Sequence, residues 1–307
     1  MLGLRLALGA IAMMAVLTAS IGGLAVMDFD GSKEAPTLEL TLGGDGAYWD
    51  AVANGARAAA AQRGVQLSVL EGIEPDGHAM LAIVGAGETA SCGGEEMLSP
   101  HLFHVGMANY AAGRICAHYA AKHAAVGSKI VALIDTTPDS TSEPRLQGFR
   151  DTLRYYEGEG ESRRQWQVEV IPIAGDAVEQ EVTDLAAIAA QHADAALVVD
   201  FTGSVAAALT TSFKSDSSRP QPRLVTFDRS EASLAAIETG DLAAVITHNP
   251  YDCGYHAVDR LVMFHRSDLW GRPAAGRGCF HVPAQLVERG TLAEFRSSLK
   301  IAASELP

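Results

Sequence analysis

Basic residues are scarce in this chain. It carries 23 Lys and Arg against 37 Asp and Glu, a net charge of −14. A nucleic-acid surface needs clustered cations, so that class of partner is excluded. No G-x-S-x-G elbow, no H-E-x-x-H word and no cysteine in a nucleophile motif occurs, and nothing reads as a catalytic constellation. His118 and His123 share one expected helix, but five residues apart they point about 140° apart, which is wrong for a shared metal. Asp135 and Asp139 read as loop and cap residues. The turn Gly43-Gly44-Asp45-Gly46 lacks the third glycine of a dinucleotide fingerprint, with Trp49 in its place, and no Walker lysine is present. No cofactor follows from the sequence, and the chain does not read as an enzyme.

Cysteine is also sparse. Cys92, Cys116, Cys253 and Cys279 form no CxxC unit, which removes a zinc site. An even number in an exported chain permits two disulfides, and buried free thiols are the open alternative.

What is present starts at the N-terminus. Arg5 precedes an apolar run from Leu6 to Met27, which is followed by Asp28 and Asp30. Basic residues inside and acidic residues outside imply export. The run is long enough to span a bilayer, and Thr18-Ala19-Ser20 offers a small-residue cleavage site. A cleaved signal peptide and a retained anchor both fit residues 1–30. No cysteine lies nearby, which argues against a lipid anchor.

With 48% hydrophobic residues, the rest of the chain can fill a core. From Thr37 onward, short apolar runs alternate with helical patterns. The clearest stretch runs from Arg223 to His256. Leu224 to Phe227 predicts a buried strand closed by Asp228. Ser230 is an N-cap candidate for a helix through Leu234 and Ile237, and Gly240 ends it. Ala243 to Thr247 predicts the next strand, and Asn249-Pro250 opens a further helix. Strand, helix, strand, helix means a parallel sheet, where ligands meet the carboxyl ends of strands. Asp228 and His248 occupy such ends and are candidate ligand contacts.

The words Val225-Thr226-Phe227-Asp228, Asn249-Pro250-Tyr251, Val105-Gly106-Met107-Ala108-Asn109 and Arg145-Leu146-Gln147-Gly148-Phe149 resemble the type I periplasmic sugar-binding proteins, a fold shared with the effector domain of lactose-repressor-like regulators. The likeness covers roughly residues 40–71 and 104–290. It implies an α/β fold of two lobes, each a parallel doubly wound sheet, joined by a three-segment hinge. The N-terminal lobe would take 36–107 plus 249–279, and the C-terminal lobe 108–248 plus 280–307.

Only about 30 residues separate Leu70 from the strand at His104, where the family has more, so the N-terminal lobe is expected to be reduced. The family's Asp-Arg clamp is missing there, and Glu88, Glu95 and Glu96 read as solvated loop acids.

The resemblance implies site residues as well. Tyr48 and Trp49 stand where an aromatic pair stacks on a sugar ring, the alternative being that both rings pack the helix start. Arg145 stands where an arginine bonds sugar hydroxyls. Asp200 occupies a strand end that contacts ligand, although Phe201 replaces the acidic residue that follows it. The implied function is that of an extracytoplasmic solute-binding protein. It would be a periplasmic monomer, free or anchored to the inner membrane by its N-terminal segment, that holds a small sugar or related polar solute and presents it to an ABC transporter permease. The competing reading is a membrane-tethered sensory or scaffold protein with a degenerate sugar-binding fold. A transcriptional regulator is excluded by the export segment.

Overall fold

The computed structural model describes residues 37–42, 47–71, 82–84, 103–137, 140–157, 165–173, 181–215, 221–228, 230–266 and 279–304. All of them lie in one compact unit, Thr37–Pro307. Among the described residues no helix is long and apolar enough to cross a membrane. The apolar run Leu6 to Met27 lies outside them, as do Cys92 and the acids Glu88, Glu95 and Glu96.

A six-stranded sheet forms the larger lobe. It contains β5 (Lys129–Asp135), β6 (Gln167–Ile173), β7 (Leu197–Asp200), β8 (Arg223–Thr226), β9 (Ala244–Thr247) and β11 (Gln285–Val287), in the order β11-β9-β8-β7-β5-β6. All pairings are parallel except β11 against β9. The four central strands read as continuous apolar runs because helices cover both faces. Strand alternation then sorts the core. Ile130, Ala132, Val199, Val225 and Ile246 pack on one face with α2 (Asn109–His123) and α3 (Ser142–Glu157). Val131, Leu133, Val198, Leu224 and Val245 pack on the other. That second face is covered by α4 (Glu181–Gln191), α5 (Ala206–Ser215), α6 (Glu231–Thr239) and α8 (Leu292–Ser304). Pro172 is tolerated because β6 is an edge strand, where one lost donor breaks no ladder.

The smaller lobe holds two parallel pieces of sheet. One pairs β1 (Thr37–Leu42) with β2 (Gln66–Glu71), and the other has the order β10-β4-β3, from Cys279–Val282, Phe103–Met107 and Ala82–Val84. Its core joins Leu38 and Leu40 of β1 and Val105 of β4 to α1 (Ala47–Arg63) and α7 (Pro250–Arg266). Alanines dominate the α1 contact, so α1 and α7 approach closely.

The chain passes between the lobes three times, after Met107, after Thr247 and after Val282. β10 hydrogen-bonds to β4, so 280–282 belong with the smaller lobe and not with the larger one, to which the sequence reading gave everything from 280 onward. Strand β11 was also not anticipated. It is three residues long, and only its antiparallel pairing with β9 makes it a strand.

The punctuation expected from 223–256 is present. Ser230 Oγ accepts from the Ser233 amide at 3.2 Å. Gly240 takes the left-handed conformation at φ 87° and donates to Ala236 and Ile237. Cys116 is a buried free thiol, which removes the two-disulfide arrangement.

Candidate functional site

The carboxyl end of β9 meets the start of α1 through His248 and Tyr48, and along β7, β8 and β9 strand parity decides which side chains share a face. Phe201, Phe227 and His248 continue the face of Val199, Val225 and Ile246, towards α2 and α3. Asp200, Thr226 and Asp228 continue the opposite face, towards α5 and α6. The six candidate residues therefore divide into two groups.

Arg145 anchors the first group. It is only 3% exposed. Its Nε donates to Asn109 Oδ1 at 3.0 Å, and one terminal nitrogen donates to the Phe201 carbonyl at 2.7 Å. Its guanidinium carbon sits 4.9 Å over the Phe227 ring. Phe227 stacks in turn on Phe201 at 5.2 Å, and Phe201 meets Phe149 edge-on at 5.4 Å. A planar cation over an aromatic face keeps its in-plane donors available, so the stack holds the guanidinium while its edges bond. Sequence reasoning used Asn109 and Phe227 only as parts of matching words, and treated Phe201 as a departure. Their signal lay in being polar or aromatic at helix starts and strand ends.

His248 and the α1 aromatics complete this group. His248 is 2% exposed at the end of β9. Tyr48, in the first turn of α1, brings its hydroxyl to 3.5 Å from His248 Nε2, with the rings edge-on at 6.1 Å. Trp49 packs edge-on to Tyr48 at 5.0 Å. Both α1 rings are half-buried. The pair thus spans from the smaller lobe to the larger one.

The two aspartates serve their own turns. Asp200 is fully buried. One carboxylate oxygen accepts from the Thr202 amide at 3.0 Å, the Thr202 hydroxyl at 2.6 Å and the Gly203 amide at 3.1 Å. The other accepts from Thr226 Oγ1 at 2.9 Å and the Val205 amide at 3.3 Å. Burial pushes this carboxyl above its ordinary value, while the hydroxyl and amide donors pull it back. Gly203, at φ 79°, lets the loop close around it. Asp228 is half-buried and accepts from the Ser230 amide at 2.9 Å and from the hydroxyls of Ser230 and Ser233. Both aspartates organise helix starts, of α5 and α6 respectively.

Asn249 caps α7, its Oδ1 accepting from the Tyr251 amide at 3.1 Å. Among the described residues, no three of His, Cys, Asp and Glu gather as a metal site. What the arrangement offers a ligand is a set of aromatic rings, an arginine held over the face of one of them and an imidazole, at a junction of two lobes.

Comparison with known proteins agrees with this architecture. The family described as periplasmic binding protein domain matches residues 96–264. No curated protein sequence matches the chain. Among solved structures, a periplasmic ribose ABC transporter protein from Conexibacter woesei is 16% identical with a TM-score of 0.67, over 87% of this chain and 96% of that one. AraP, an arabinose binding protein from Geobacillus stearothermophilus, is 17% identical with a TM-score of 0.63, over 86% and 99%. GanP, a glucose-galactose binding protein from the same organism, is 16% identical with a TM-score of 0.61, over 84% and 99%. Identities this low speak for the fold, and the fold is that of the type I periplasmic binding proteins. The family match covers more than half of the 307 residues, and the chain belongs to the periplasmic binding protein domain family.

Proposed function

We propose that this protein is an extracytoplasmic solute-binding protein that holds a small sugar-like solute between its lobes and presents it to an ABC-type permease. The observation that carries the reading is the meeting of Tyr48 from one lobe with His248 at the strand ends of the other, beside the Arg145–Phe227 stack. Rings of this kind suit the C–H face of a sugar, and a fixed guanidinium suits its hydroxyls. The solved relatives named for ribose, arabinose, glucose and galactose support the choice of cargo. Tyr48, Trp49, Arg145 and His248 are the proposed contacts. Asp228 is proposed as a contact reached only if a ligand displaces its serine partners, and Asp200 as the support of the loop beneath.

In this reading the protein acts as a monomer and carries out no chemical step. Closure works by selection: a ligand that bonds both lobes favours the closed state by its differential affinity, and only that state offers a permease the joined surface. The smaller lobe is proposed to be reduced.

The test is thermal unfolding of the purified protein against pentoses, hexoses, polyols and nucleosides. A ligand at one hundred times its Kd adds about 2.7 kcal/mol, several degrees in Tm. The expected result is a shift with one sugar that Trp49→Ala abolishes. No shift across the panel from a folded protein would move the reading to a tethered sensor or scaffold.

A further inference from the structure

Two helix crossings in this protein are built alike. Between α1 and α7, a Cβ added to Gly55 would fall 1.9 Å from the Tyr251 carbonyl oxygen, and one added to Gly254 would fall 1.9 Å from that of Val52. Between α2 and α3, a Cβ on Gly113 would fall 1.9 Å from the Arg145 carbonyl oxygen, and one on Gly148 would fall 2.0 Å from that of Tyr110. In each helix the struck residue lies one turn before the glycine: Val52 before Gly55, Tyr251 before Gly254, Tyr110 before Gly113, Arg145 before Gly148. None of the four glycines has a positive φ, so backbone freedom is not why they are glycine. Their role is to let two backbones touch. Non-bonded atoms rest at roughly 3.5 Å, so alanine at any of the four would force the helices apart by about 1.5 Å.

Each crossing also carries one polar pair of the candidate site. The residue struck by Gly113 is Arg145 itself. The residue struck by Gly148 is Tyr110, next to Asn109, whose Oδ1 receives the Arg145 Nε–H at 3.0 Å. On α1, Val52 lies one turn after Tyr48, and Tyr251, in the first turn of α7, follows His248 by three residues across the Asn249 cap. Those two side chains meet at 3.5 Å. A separation of about 1.5 Å exceeds what either contact tolerates.

We propose that Gly55, Gly254, Gly113 and Gly148 are positioning residues, forming two matched joints, one holding Asn109 against Arg145 and the other holding Tyr48 against His248. The inference rests on the solute-binding reading only for what the positioned groups do. A ligand site gains affinity when its groups are already in place, so the joints set binding strength without touching the ligand.

The experiment is carried out without sugar, on the Arg145 Nε–H signal followed by NMR. In the native protein this proton is protected from exchange by its bond to Asn109. Gly113→Ala and Gly148→Ala are expected to accelerate its exchange by about tenfold or more, as Asn109→Ala does. Leu153→Ala, which hollows the buried side of α3 away from the crossing, is the control for lost stability and is expected to leave the signal protected. Unchanged exchange in a folded Gly113→Ala protein, or equal acceleration in Leu153→Ala, overturns the proposal. A second measurement needs no variant. The amides of Gly55, Gly113, Gly148 and Gly254 are expected to exchange only through global unfolding, and exchange by local opening at either crossing overturns it. A protein with protected joints that binds nothing in the sugar panel retires the solute reading and leaves the joints standing.

Discussion

The guanidinium of Arg145 lies 4.9 Å over the ring of Phe227 while its edge donates to Asn109 and to the carbonyl of Phe201. Three elements, α2, α3 and the turn after β7, are thereby tied to the end of β8 by one side chain.

Removing that side chain takes one donor from the Phe201 carbonyl, which keeps Ser142 Oγ, one from the half-buried Asn109 amide oxygen, and the cation from the face of Phe227. Arg145→Ala is expected to lower stability by about 3 kcal/mol, measured by urea unfolding. Arg145→Lys should recover less than half of this, since an ammonium cannot bond two edges and stack at once. Full recovery by lysine would show that charge alone matters.

Asp200 gives a pH signature. Its carboxyl is held above the ordinary value of 3.8 by burial. The folded state therefore binds more protons than the unfolded state over the window above 3.8, and this group's contribution to stability falls as pH rises through that window. Asp200→Asn removes that slope. Wild type is expected to lose more stability than the variant between about pH 4 and neutrality, in chemical denaturation at a series of pH values. Parallel curves would show the five donors holding the carboxylate ionised throughout. Asp200→Ala, which orphans those donors, is expected to cost about 3 kcal/mol at neutral pH.

Cys116 is fully buried on α2, and burial pushes its thiol far above the ordinary value. Only the thiolate reacts, so alkylation at Cys116 is expected to track global unfolding. Rapid labelling of that cysteine in native buffer would contradict the packing of α2 on the sheet.

Gly240→Ala tests the end of α6. At φ 87° a Cβ is strained, and here it would also lie 3.1 Å from the Arg289 guanidinium, which bonds the Ile237 and Glu238 carbonyls. A loss of about 1 kcal/mol is expected in urea unfolding.

Much of the larger lobe was legible in the sequence. The apolar runs at 130–134, 195–199, 224–227 and 243–247 are too short for helices and too continuous for a one-faced sheet. Ser230 and Gly240 marked a helix by chemistry that acts within a few residues. Local signals carried these elements because strand length, capping and periodicity are local properties. β11 escaped because three residues have no period of their own, while the short strand near Phe280 was legible and its pairing with β4 was not, because a strand's partner is a non-local choice.

The candidate site divides in the same way. The sequence by itself determined that aromatic residues, an arginine and aspartates stand at helix starts and strand ends, and that family words surround them. Which faces those residues share was decided by tertiary structure. Parity along β7 and β8 turned Asp200 and Asp228 towards α5 and α6, while Phe201, Phe227 and His248 turned towards Arg145 and Tyr48. The close approach of α1 to α7 and of α2 to α3 depends on backbones more than thirty residues apart in the chain. Four glycines permit that contact, but only the packed helices show that it is made.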